Sequence, residues 1–344
     1  MVRGTVNVRT KTMIHDAKCG LAALAALLLV AMAAQPARAQ QADEEIQTLK
    51  VTDHIYMLVG GGGNTVVQTG KDGVLVVDTK LAPYADKLLA AIRKISDGPI
   101  RYIINTHYHP DHTGGNAVIR KAGSTIAGGN VSVEIGNAAE GAQIIAHDNV
   151  LFSMSAPEGG TPPAPEDSWP TNTFFTGVKQ LWFNDEPILI TYEPDAHTNG
   201  DVTVFFRKSD VIVTGDLFNT SHMYPIIDTA AGGTVDGYLE ALNAIIHTMV
   251  PVYGQDGGTL AIPGHGRLSN IGDVLNYREM FTVIRDRIAN LKKQGKSLAE
   301  VKAANPTYDW DPRYGTDKGF WTTEKFIEAI YNTLPDAKGG ETAQ

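Results

Sequence analysis

Cysteine is all but missing from this chain: among 344 residues there is one, Cys19. A disulfide framework is excluded, and so is a metal site built mainly from thiolates. Positive charge is scarce as well, with 29 lysines and arginines against 38 acids. Nucleic acid is therefore a poor partner, because its phosphate backbone is repelled by an acidic surface. Long apolar runs are also lacking: the stretch from Gly20 to Ala34 falls short of the roughly 20 residues needed to span a bilayer.

That short run has the pattern of an export signal. Arg3, Arg9, Lys11 and Lys18 precede it, and Ala37-Arg38-Ala39 supplies a small-x-small cleavage pattern before Gln40. Residues 1–39 are expected to be removed, leaving a periplasmic or secreted protein with no stable membrane insertion. Taking away the segment's five basic residues and one acid leaves the rest of the chain with a net charge of −13. Cys19 leaves with it, so any metal must be held by histidine and carboxylate. The remainder, 40–344, is expected to form one domain with a helical extension from about residue 270.

The coarse pattern alternates strands and helices. Val51 to Val59, Asn64 to Thr69 and Val74 to Asp78 read as strands, separated by the Gly60 to Gly63 run and by Gly70-Lys71-Asp72-Gly73. Gly60 to Gly63 reads as a hairpin and not a phosphate loop, since neither a lysine nor a helix start follows. Pro83 to Ile95 has helical spacing, and Ile100 to Asn105 returns to a strand. Asn116 to Lys121 reads as helical, Gln143 to Ala146 as extended, and the proline-rich stretch Ala156 to Thr173 as a long loop. Gly177 to Tyr192, Asp201 to Arg207, Val211 to Thr214 and Thr259 to Ile262 read as strands, Tyr238 to Met249 and Asp273 to Lys293 as helices. A layered α/β architecture follows.

The stretch INTHYHPDHTGGN concentrates metal-competent groups on the loop leaving a buried strand. In extended chain His107 and His109 project to one side, roughly 6.6 Å apart, near enough to converge on one cation. The turn permitted by Pro110 and Gly114-Gly115 aims Asp111 and His112 at a neighbouring point. Three further turns, each after a strand, offer His197 in DAHTNGD, Asp216 in VTGDLF and His265 in IPGHG. Such strand ends are where an α/β sheet presents its ligands.

The run HxHxDH, followed in order by AHTxGD, TGD and PGHG, resembles the metallo-β-lactamase-fold hydrolases over roughly Val51 to Arg267. The resemblance implies a four-layered αββα sandwich with a site on one edge of its two sheets. It implies that His107, His109 and His197 bind one metal, Asp111, His112 and His265 a second, and that Asp216 bridges them. Zinc is the expected ion, with iron or manganese as alternatives. The carboxylate at Asp216 departs from the lactamase branches with cysteine or serine there, and is more like the glyoxalase II, lactonase and general-hydrolase branches.

A metal pair ~3.5–4 Å apart acidifies a bridging water and polarises the carbonyl it attacks. The expected reaction is hydrolysis of a small ester, lactone or amide (β-lactam) bond, with Asp111 positioning the nucleophile or shuttling its proton. The alternatives are an iron oxygenase of the persulfide dioxygenase type and a glyoxalase II-like thioesterase. His222 and Tyr224 are expected to line the substrate pocket, and Trp169, Phe174, Phe175 and Trp182 offer themselves as an apolar wall. His54, His147 and His247 match no ligand position and read as structural or exposed. The expected partner is a small-molecule substrate.

Overall fold

The computed structural model describes residues 44–125, 141–157, 161–250 and 258–335, so the segment read as an export signal lies outside the described residues. Runs of β-branched residues assemble into two sheets. The first has seven strands in sequence order: β1 (Gln47–Lys50), β2 (Ile55–Val59), β3 (Thr65–Gly70), β4 (Gly73–Val77), β5 (Ile100–Ile104), β6 (Gln143–His147) and β7 (Asn172–Phe174). The second has five: β8 (Val178–Phe183), β9 (Glu186–Tyr192), β10 (Val202–Phe206), β11 (Val211–Val213) and β12 (Leu260–Ile262), with β12 and β8 at its edges. β4 to β7 run parallel, as do β11 and β12, whereas β9, which leads into the His197 turn, runs antiparallel to β8 and β10.

The sheets stack through Val66, Leu75, Val77, Ile104 and Ile145 of the first and Ile188, Ile190, Val204, Val211 and Ile262 of the second. The opposite face of the first sheet, through Val74, Val76 and Ile103, packs on Leu88 and Ile92 of helix α1 (Ala85–Ile95). The opposite face of the second, through Ile212 and Ala261, packs on α5 (Val235–Thr248), α6 (Ile271–Lys293) and α9 (Thr323–Thr333). Strands buried on both faces explain why β4 reads GVLVV without alternation. The result is the four-layered αββα sandwich expected from the sequence. The intervening helices are α2 (Pro110–Thr113), α3 (Asn116–Lys121), α4 (Asp148–Ser155), α7 (Leu298–Ala303) and α8 (Asp311–Tyr314). No described helix is long and apolar enough to cross a membrane.

Several boundaries differ from the sequence reading. The strand read over Gly177 to Tyr192 is a hairpin, β8 and β9, broken by Asn184 and Asp185, whose φ angles are 53° and 61°. Two consecutive positive φ values fit the turn that matches strand twist. The loop read over 156–173 ends two residues earlier, where β7 begins at Asn172 and pairs with β6. Helix α4 went unread; its N-cap is the side chain of His147, which accepts from the Asn149 N–H and stacks on Tyr192. His54 and His247 are exposed.

Two expectations follow. Phe281 is fully buried between Tyr238 and Phe326 where α6 meets α5 and α9. Phe281→Ala is expected to cost about 3–5 kcal/mol, read as a lower denaturation midpoint in urea; a loss under about 1 kcal/mol would contradict this packing. Glu193, just past β9, is buried with only the Thr203 hydroxyl donating to its carboxyl among the described residues, and burial pushes that carboxyl up to about 8. A carboxyl raised in the folded state gives stability that is fully present below its unfolded value and is lost as pH rises through the folded one. Stability is expected to fall, on the order of 3–5 kcal/mol, between pH 4.5 and 8. Glu193→Gln should remove most of that slope in thermal melts across the window, and an unchanged slope would assign it elsewhere.

Candidate metal centre

Strands β5, β9, β11 and β12 end on one edge of the sandwich, and the turns that follow them carry the candidate residues. His107 and His109 leave β5; α2 then begins at Pro110 and lifts Asp111 and His112. His197 sits between β9 and β10 in a turn closed by Asp201, whose carboxylate accepts from the Thr198 N–H at 2.6 Å and the Thr198 hydroxyl at 2.8 Å. Asp216 lies in a 3₁₀ turn after β11, and His265 follows β12.

These residues form two groups sharing one carboxylate. In the first, His109 Nδ1 lies 3.1 Å from His107 Nε2 and 3.0 Å from His197 Nε2. Asp216 Oδ2 completes it at 3.9 Å from His107 and 3.7 Å from His197. In the second, His265 Nε2 lies 3.1 Å from Asp111 Oδ2 and 3.4 Å from His112 Nε2. Asp216 Oδ1 completes that one, 3.2 Å from His112 and 3.4 Å from His265. A tetrahedral site with centre-to-ligand distances of about 2.0–2.1 Å has edges of about 3.3–3.4 Å, close to most of these separations. All seven residues predicted from the sequence are brought together, and each oxygen of Asp216 faces a different group.

Proton positions explain why the first group suits a cation. His197 Nδ1 donates to the Ile226 carbonyl at 2.7 Å, and His109 Nε2 to Asp228 Oδ2 at 2.9 Å. His107 Nδ1 lies 3.1 Å from the Thr106 hydroxyl, which donates its own proton to Asp78 Oδ2 at 2.6 Å and so accepts from the histidine. Each of the three imidazoles thus turns an N–H outwards, and their other ring nitrogens face one another. His112 repeats the device, with Nδ1 at 2.7 Å from Asp78 and Nε2 turned inwards. Asp216 Oδ1 is buried with no hydrogen-bond partner among the described residues. Converging lone pairs and an orphaned carboxylate oxygen fit divalent metal.

Electrostatics sort the ligands in the same way. Burial, reinforced by neighbouring histidines, pushes His107 well below its ordinary value and His197 down to about 4, so both stay neutral. Burial opposes charge on His112 and His265 too, but Asp216 together with Asp78 or Asp111 outweighs it, and His265 is pushed up to about 9. Burial would raise Asp216, yet His112 and His265 hold its carboxyl well below the usual range.

The supporting residues were not legible as motifs. Asp78, at φ 60° just past β4, serves His107 through Thr106 and His112 directly. Asp228 accepts from His109 and from the Tyr108 hydroxyl at 2.7 Å. Gly63, from the run read as a plain hairpin, presses on His112: a Cβ there would come within 2.4 Å of the ring. Buried Lys80 ties that glycine loop down, donating to the carbonyls of Leu58 at 2.9 Å and Gly63 at 2.8 Å.

A cavity of about 480 Å³ opens over both groups and is lined further by Asn219, Ser221, Met223, Ile226 and Phe320. The two expected substrate contacts are not among its walls. Tyr224 is 1% exposed; it stacks on Phe326 and its hydroxyl donates to Asp311, so it fastens the site segment to the helical layer. His222 has φ 61° and is exposed. The proposed aromatic wall is also elsewhere: Phe174 is in the core, Trp169 packs on Ala146, Val150 and Met154, and Phe175 and Trp182 face solvent.

Asp228→Asn tests the outward hydrogen bonds. The amide can present N–H to His109 Nε2 and destabilise the tautomer that leaves Nδ1 bare. Metal affinity is expected to fall about 10–100-fold, read by competition with a chromophoric chelator; unchanged affinity would show that Asp228 does not orient His109.

Comparison with known proteins identifies the family and the fold. A linear primary-alkylsulfatase of Pseudomonas sp. (strain ATCC 19151) is 49% identical over 45 residues, 13% of this chain and 8% of that protein. Among solved structures, a double mutant of the sec-alkyl sulfatase PisA1 of Pseudomonas sp. is similar at a TM-score of 0.62 and 15% identity, covering 85% of this chain and 51% of that one. This chain thus spans about half the length of that sulfatase. A metallo-beta-lactamase from Pontibacter korlensis is similar at a TM-score of 0.52 and 14% identity, covering 69% of this chain and 99% of that one. At such identities the structural likeness speaks for the fold alone. The family model described as the metallo-beta-lactamase superfamily matches residues 58–248, more than half of the sequence. The chain, with its HxHxDH run and the three later turns converged on one sheet edge, belongs to the metallo-beta-lactamase superfamily.

Proposed function

We propose that this protein is an exported dinuclear metallohydrolase that cleaves a small ester, lactone or amide bond. The observation that carries this reading is the pair of donor groups joined through Asp216, one carboxylate oxygen to each. His107, His109 and His197 would hold one ion, and Asp111, His112 and His265 the other. Divalent cations bound there, zinc above all, supply a water acidified towards neutrality and a Lewis acid for the oxygen that gathers charge. Export rests on the pattern of residues 1–39, and the acidic balance supports a small-molecule substrate over nucleic acid.

The chain's own residues supply the rest of the chemistry. Asp111 faces the cavity; burial would raise its carboxyl, but His265 and His112 hold it down, so it arrives ionised and able to accept a proton from the attacking water. Asp228, Thr106 and the Ile226 carbonyl keep the first three imidazoles in fixed tautomers through the cycle. The glycine at 264 permits the closest approach to Asp216: a Cβ there would lie 2.0 Å from Oδ1.

A second reading, cleavage of a sulfate ester, is favoured by the 45-residue match to a linear primary-alkylsulfatase. Both readings share the site and differ in the atom attacked. Metal analysis of the purified protein beside a panel of aryl esters, lactones, β-lactams and primary alkyl sulfates separates them. Turnover is expected to vanish on chelation and return with zinc, and Asp111→Asn is expected to lower kcat by about 10²–10⁴-fold. Bound iron with oxygen uptake and no hydrolysis would overturn this reading in favour of the oxygenase.

A further inference from the structure

Phe320 is 69% exposed, yet it is a wall of the cavity over the metal-competent groups. Its position is built rather than incidental. The loop between α8 and α9 is closed at its base by Thr316 and Thr323, which exchange two hydrogen bonds, Thr323 N to Thr316 O at 2.9 Å and Thr316 N to Thr323 Oγ1 at 3.0 Å. Beside Phe320, the Trp321 indole N–H donates to the Pro225 carbonyl at 3.2 Å, and Lys325 Nζ donates to the Phe320 carbonyl at 2.6 Å. Gly319, at φ 88°, makes the bend that turns the tip over the cavity. Pro225 precedes Ile226, whose carbonyl holds His197, so one segment fixes both the first donor group and the strap above it.

Met223 and Ile226 share the lining of this cavity with Phe320. The polar groups there are already engaged: the Ser221 hydroxyl donates to Asn219 Oδ1, and the Asn219 amide donates to the Tyr277 hydroxyl. No lysine or arginine lines the cavity among the described residues, and the internal segments 126–140, 158–160 and 251–257 contain none in their sequence. The nearby Arg267 is paired with Asp273. A substrate body carrying its own negative charge would meet no lysine or arginine among the described walls, with Lys325 engaged at the Phe320 carbonyl, and would lie close to Asp111.

We propose that Phe320, Met223 and Ile226 form a subsite for the uncharged apolar chain of the substrate, and that the Trp321-pinned strap sets specificity for it. The proposal rests on the hydrolase reading for what happens at the other end of the molecule, but binding of the chain does not require turnover. A single hydrolysable polar group sits over the donor groups, and an alkyl or aryl body lies along the three apolar side chains. Each methylene fully removed from water there gains about fourfold in affinity.

The test uses two series on the zinc-loaded full chain. Straight-chain hydroxamates from acetyl to octanoyl, measured by titration calorimetry, read the subsite without catalysis; p-nitrophenyl esters of the same chains read kcat/KM. Affinity and kcat/KM are both expected to rise at least tenfold from the shortest to the longest, and an ω-carboxylate on the longest chain should remove most of the gain. Phe320→Ala should flatten both series, Phe320→Leu should restore most of the slope, and Phe175→Ala, an exposed phenylalanine away from the cavity, should leave it as it was. Flat hydroxamate affinities, or a slope that survives Phe320→Ala, would overturn the subsite even if esters are cleaved. A steep hydroxamate series with no ester turned over would uphold the subsite and count against the hydrolase reading instead.

Discussion

Three imidazole nitrogens that carry no proton are held about one ligand-edge apart, and the rest of the molecule is arranged so that they stay there. Lone pairs so close repel unless something positive lies between them. The fold opposes that repulsion by engaging the far nitrogens of His107, His109 and His197 with Thr106, Asp228 and the Ile226 carbonyl. Thr106 follows β5 of the first sheet, His197 hangs from the second, and Ile226 and Asp228 sit two residues apart in the segment after Asp216, so the tautomers are fixed only when both sheets and that segment are in place. Site formation and folding are thereby coupled, as expected where ligands are scattered along the sequence.

The sandwich serves this constraint through strands β5, β9, β11 and β12. Their ends lie side by side on one edge, which lets four short turns reach a common point without long loops. The close approaches are made where side chains are absent: Gly63 against His112 and Gly264 against Asp216 leave room that any Cβ would occupy. The helical layer is tied to the same edge, since the buried Tyr238 hydroxyl donates to the Asp216 carbonyl and Tyr224 anchors its segment on α8 and α9.

The metal-competent residues were legible because their spacing is local and their turns follow strands. His107, His109, Asp111 and His112 fall within one loop, and the other three each sit in a short glycine-bearing turn. The layered fold was legible for the same reason, from apolar runs and their alternation with helical spacing. The supporting residues were not, because Asp78 lies 34 positions from His112 and Asp228 lies 119 from His109, and no local pattern joins them. The glycine run was read for its turn, whereas its close packing on His112 exists only in three dimensions. Tyr224 looked like a pocket residue by proximity to Asp216 in sequence; its aromatic face found Phe326 instead. Asn184-Asp185 did carry a readable turn signal, and it divides what looked like one strand. Phe320, nearly a hundred positions beyond the Phe218 to Tyr224 segment, had no motif to announce it.

The most direct measurement is anomalous diffraction at the zinc edge from crystals of the zinc-loaded protein. Two peaks about 3.5–4 Å apart, one among His107, His109 and His197 and one among Asp111, His112 and His265, with Asp216 between them, are predicted. A single peak outside these groups, or two peaks not joined by Asp216, would contradict the shared-carboxylate centre.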